Sequence, residues 1–84
     1  MAERGAGIPV VIAGLGEVGR ATAMAVLETP DLRLVGAVDP AFAGQGLPAV
    51  LGSHAPPVEV DGDSGRALRS ARGGVLLQAT SSRF

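Results

Sequence analysis

At 84 residues and a net charge of −1, the chain has room for one small domain and carries no basic field that would hold nucleic acid or an anionic membrane. It has no cysteine, which excludes disulfides and thiolate ligands and makes the cytoplasm the expected location. Hydrophobic residues make up 46% and charged residues 18%, a globular balance, and no apolar run approaches the roughly 20 residues of a membrane span.

In chain order, Met1 to Gly7 has two charges and no periodicity and reads as a flexible leader without a signal-peptide pattern. Ile8 to Ala13 is apolar without polar alternation, which predicts a central strand of a parallel sheet covered on both faces. Glu17 to Leu27 has helical spacing, with Val18, Ala21, Thr22, Ala25 and Val26 as its expected packed face, and Pro30 ends it near Glu28. Leu32 to Val38 predicts a second strand with Leu32, Leu34, Gly36 and Val38 on one face, closed by Asp39 and Pro40.

The region from Ala41 to Pro57 is rich in proline and glycine and predicts loop with one short helical turn around Pro48 to Leu51. Val58-Glu59-Val60 is a short third strand, and Asp63 or Ser64 caps a helix from Gly65 to Arg72 that Gly73-Gly74 closes. Val75 to Ala79 is the fourth strand, with Thr80-Ser81-Ser82 at its end. The sum is an α/β fold: a Rossmann-type parallel sheet of strand order 3-2-1-4 flanked by helices, over residues 8–84. That is an incomplete doubly wound fold, about half of the roughly 150 residues the two-halved form uses.

The chemistry concentrates in Gly14-Leu15-Gly16-Glu17-Val18-Gly19, a G-x-G-x-x-G turn between a strand and a helix. Gly14 permits the tight turn, Gly16 keeps a Cβ away from an approaching pyrophosphate, and Gly19 lets the helix sit close to the strand. Asp39 follows Gly19 at about the 20-residue distance of an acid that accepts from a ribose, although it is also the residue type that starts a turn before proline. With Pro40 and Ala41 after it instead of arginine, NAD is expected over NADP, which stays possible. Thr80 and Ser81 stand where such sheets place ligands and are candidates for the nicotinamide ribose, or ordinary loop residues.

Other residues carry less. Phe42 fits a packed loop anchor better than an adenine contact. His54 has no partner at ligand spacing, so no metal site is predicted. Arg66, Arg69 and Arg72 recur at helical spacing and read as a solvated stripe in preference to an anion site.

The segments Ile12 to Gly19, Leu34 to Asp39 and Leu76 to Ser82 together resemble the N-terminal NAD(P)-binding domain of dihydrodipicolinate reductase-like oxidoreductases, and among them the 2,4-diaminopentanoate dehydrogenase branch. The turn departs from the G-x-x-G-x-x-G spacing of dihydrodipicolinate reductases proper, because Ala13 stands where the first glycine falls. The resemblance implies a cofactor role for Gly14, Gly16, Gly19, Asp39, Thr80 and Ser81, with Leu15, Glu17 and Val18 completing the turn. It further implies hydride transfer to or from an amine- or imine-bearing carbon, completed by a C-terminal substrate domain or a separate catalytic subunit and compatible with a homo-oligomer. No catalytic residue is expected within residues 1–84, and the chain alone is not expected to turn over. The alternatives are a free-standing NAD-binding module or a non-catalytic fragment.

Overall fold

The computed structural model describes residues 7–71 and 74–79. Its elements in order are strand β1 (Ile8–Ala13), helix α1 (Glu17–Leu27), strand β2 (Leu32–Val38), helices α2 (Leu47–Leu51) and α3 (Ser64–Ala71), and strand β3 (Val75–Gln78). The three strands form one parallel sheet of order β2-β1-β3. This is a small α/β domain with an open, Rossmann-like sheet between helices, as the residue pattern predicts. Residues 1–6 of the expected leader, Arg72, Gly73, Thr80, Ser81 and Ser82 lie outside the described residues.

β1 is central because its side chains are apolar in both directions. Val10 and Ile12 enter one core with Ala23 and Val26 of α1 and Leu47 of α2, while Val11 enters a smaller one with Val38 and Ala67 of α3. A strand exposing alternate residues to water would leave one of those helices without a surface to cover.

Three expectations need correction. The packed face of α1 is Gly19, Ala23 and Val26, whereas Val18, Ala21 and Ala25 are exposed. The buried face is a stripe of small residues beginning at Gly19, and Ala21, Ala23 and Ala25 are alike in hydrophobicity, so composition does not tell the two faces apart. In β2 the pairing jumps from Val10 with Leu34 to Val11 with Gly36, so Val35 is an extra, bulged residue. Beyond the bulge the sides exchange: Leu34 and Ala37 face the α1 core, and Val38 faces α3 with Val35 instead of lining up with Leu32 and Leu34.

The third correction concerns Val58-Glu59-Val60, which is not a strand of the sheet. Leu47 N–H donates to the Val58 carbonyl at 2.7 Å and Val60 N–H to that of Gln45 at 2.8 Å, so the segment pairs antiparallel with the loop before α2. Only Asp61 reaches β2, donating to the Ala37 carbonyl at 2.9 Å and accepting from Asp39 N–H at 2.9 Å. The expected order 3-2-1-4 thus survives as three strands plus one parallel bridge, Val38 to Asp61, on the outer side of β2.

The short helix appears at Leu47–Leu51, one residue earlier than its proline suggests, because Pro48 sits in the first turn. Asp63 caps α3, its Oδ1 accepting from Gly65 N–H at 3.0 Å and its carbonyl from Ala67 N–H at 3.1 Å.

Candidate functional site

Parallel strands bring the ends of β1 and β2 to one sheet edge, and the glycine turn leaves β1 there. Gly14 has φ +103°, the left-handed region that a side chain rarely adopts, and its N–H donates to the Val38 carbonyl at 2.8 Å. Leu15 then turns inward and is fully buried. Gly16 caps α1 with extended backbone, and the first helical bond runs from Arg20 N–H to the Gly16 carbonyl at 2.9 Å.

The consequence is an open helix N-terminus. Among the described residues no side chain caps α1, and the N–H groups of its first turn have no intrahelical acceptor. Gly16, Glu17 and Val18 are all exposed, and a Cβ built on Gly16 meets nothing within 4 Å among the described residues. A Cβ on Gly19, in contrast, would run into the Gly14 carbonyl. The two glycines therefore serve different ends: Gly19 lets the helix close onto the turn, and Gly16 leaves bare backbone facing outward.

Asp39 joins this edge from the end of β2. Leu15 N–H donates to its Oδ2 at 2.7 Å, and Ala41 N–H to its Oδ1 at 2.9 Å. One carboxylate thus fastens the glycine turn and opens the turn before the next loop. Its bond from Ala41 N–H is that of a turn former, as the sequence suggests. Each oxygen accepts one bond and retains further lone-pair capacity for a hydroxyl. Leu15 contributes differently from its neighbours, because its N–H serves Asp39 and its side chain serves the core.

Beside Asp39 lies a cleft of about 390 Å³ lined by Ala43, Gly44, Glu59, Val60, Asp61, Gly62 and Arg66. Arg66 does not simply point to solvent as one of a stripe. Its Nε donates to Asp61 Oδ1 at 3.1 Å and its Nη2 to the same oxygen at 2.9 Å. The guanidinium and the Asp63 N–H together hold the Asp61 carboxyl below the ordinary aspartate range, and Asp61 in turn raises Arg66. The sequence signal was Asp61 five residues before Arg66, across a helix cap, which a search confined to helical spacing passes over.

Phe42 packs against the larger core, in agreement with a loop anchor. His54 is exposed, and among the described residues no three His, Cys, Asp or Glu side chains are grouped to hold a metal ion. No helix among them is long and apolar enough to cross a membrane. Comparison with protein-family models, curated proteins and solved structures returns no significant match for this chain.

Proposed function

We propose that this chain binds a nicotinamide dinucleotide, NAD in preference to NADP, as the nucleotide-binding portion of an oxidoreductase acting on an amino-acid or imine substrate. One observation carries the reading: a G-x-G-x-x-G turn opens an uncapped helix N-terminus and is fastened by the carboxylate at the end of the neighbouring strand. Exposed N–H groups with a helix dipole behind them favour a diphosphate, and bare backbone at Gly16 allows close approach. Asp39 has acceptor capacity for ribose hydroxyls, and its charge disfavours a 2′-phosphate.

Bound there, a nicotinamide ring supplies hydride transfer, while the chain's own residues anchor and orient the dinucleotide. The substrate class is carried by the family resemblance alone, and the groups that move protons are proposed to lie on a C-terminal domain or a separate subunit.

Calorimetric titration with NAD tests the binding reading. Saturable binding by the wild type, weaker binding of NADP, and loss of both on Gly16→Val with an unchanged circular dichroism spectrum are expected. Since no described residue lies within 4 Å of a Cβ at Gly16, the variant should fold, and its loss of affinity reports on the ligand. NAD binding unaffected by Gly16→Val would sink the assignment.

A further inference from the structure

We propose that the Asp61-Gly62 peptide is a modification site, where the Asp61 carboxyl closes onto the Gly62 nitrogen and reopens as isoaspartate at a rate that Arg66 restrains. Four aspartates stand in the chain, and only Asp61 precedes a glycine. Asp39 precedes Pro40, which has no N–H to lose, and Asp31 precedes the bulkier Leu32. Asp63 precedes Ser64 and is held in place, its Oδ1 by Gly65 N–H at 3.0 Å and its carbonyl by Ala67 N–H at 3.1 Å. At Asp61 the reacting groups are already together. Its carboxylate faces the N–H groups of Gly62 and Asp63, accepting from the latter at 3.0 Å, and Gly62 is exposed to the water that the second step needs.

The chemistry needs only water. The Gly62 nitrogen attacks Cγ of the neutral carboxyl, a C–N bond forms, and the amide proton leaves with the carboxyl hydroxyl as water, which gives a cyclic succinimide. Water then adds to one of the two ring carbonyls. Addition at Cγ restores aspartate, whereas addition at the former main-chain carbonyl gives isoaspartate, with the chain now running through Cβ and Cγ. Glycine favours closure because no side chain crowds the attacking nitrogen. Arg66 opposes it, because its Nε and Nη2 donate to Asp61 Oδ1 at 3.1 and 2.9 Å and so hold the carboxyl ionised and in place. The change is felt at Asp39. Asp61 N–H donates to the Ala37 carbonyl and its carbonyl accepts from Asp39 N–H, each at 2.9 Å, so an extra methylene in the chain and a carboxylate in place of that carbonyl undo the bridge to β2.

Prolonged incubation of the folded protein near neutral pH, followed by peptide mapping, tests the site. Isoaspartate resists an endoproteinase that cuts before aspartate and accepts a methyl group from a protein-isoaspartate methyltransferase, so both readouts should converge on residue 61. No isoaspartate there, or earlier accumulation at residue 31 or 63, would overturn the assignment. Arg66→Ala should accelerate conversion about two- to fivefold, the factor for losing an exposed ion pair, with Arg66→Lys between it and the wild type. An unchanged rate in Arg66→Ala would overturn the restraint. Gly62→Ala is the converse variant, since its Cβ comes no closer than 3.4 Å to a described residue, Ala43, and its conversion should be several-fold slower. Undiminished isoaspartate in Gly62→Ala would contradict closure onto that nitrogen. In the converted fraction the Asp39 amide should lose its protection from hydrogen exchange, and protection retained there would overturn the coupling to β2.

Discussion

Gly16 and Gly19 stand three positions apart in one turn, yet the protein itself requires only the second. A Cβ at Gly19 lands on the Gly14 carbonyl, and Gly14 is itself held at φ +103°, so neither backbone can yield without moving α1 off β1. Gly19→Ala is expected to cost about 1–3 kcal/mol, the range for overpacking a close contact. At Gly16 the backbone is extended and the space open, and the position is a helix N-cap without a side-chain acceptor. Serine there supplies the missing acceptor, so Gly16→Ser should gain a few tenths of a kcal/mol in the free protein. Urea unfolding of the two variants measures both, and equal midpoints would contradict the division of labour. The sequence pattern already assigned Gly14 to the turn, Gly19 to close packing and Gly16 to open backbone, and what each absent Cβ would meet among the described residues agrees with those steric roles.

At the scale of the element, α1 tests how the helix was oriented on the sheet. Ala23 is fully buried and Ala25 exposed, which reverses the face suggested by counting apolar side chains. Ala23→Leu should lower stability by about 1–3 kcal/mol through overpacking, whereas Ala25→Leu should change it by less than about 0.5 kcal/mol. Thermal melts of the pair decide between the two faces, and the opposite ranking would restore the face that includes Ala25. The boundaries of β1, α1 and β2 were legible because apolar runs, Gly14 to Gly16 and Pro30 punctuate them locally. The Val35 bulge was not, since Leu34 to Val38 carries no polar residue to mark a change of side and only the partner strand reveals the extra residue. For the same reason the sequence could not show that Val58 to Val60 bonds to the loop at Gln45 and Leu47 rather than extending the sheet.

Across the whole molecule the two faces of the sheet are unequal. Among the described residues the face toward α1 and α2 gathers Val10, Ile12, Leu15, Ala23, Val26, Leu34 and Leu47, while the α3 face buries Val11, Val38 and Ala67. β1 bonds to a strand on each side, and β3 is paired with β1 alone among the described residues. Opening β3 and α3 therefore exposes the smaller core and breaks one ladder, whereas freeing β1 breaks both ladders and empties both cores. Regions with few buried contacts open at lower free energy than the global transition, so amide exchange should be graded across the sheet. Hydrogen-bonded amides of Val11 and Ile12 are expected to exchange at least about tenfold more slowly than those of α3 around Ala67. The glycine turn belongs to the protected side, because Leu15 is anchored in the larger core and Asp39 ties its N–H to the end of β2. The fold itself thus holds the glycine turn rigid, and the α3 flank is the part free to adjust. Uniform protection across β1 and α3 would mean that the domain opens only as a unit, and the proposed softness of the α3 flank would then be wrong.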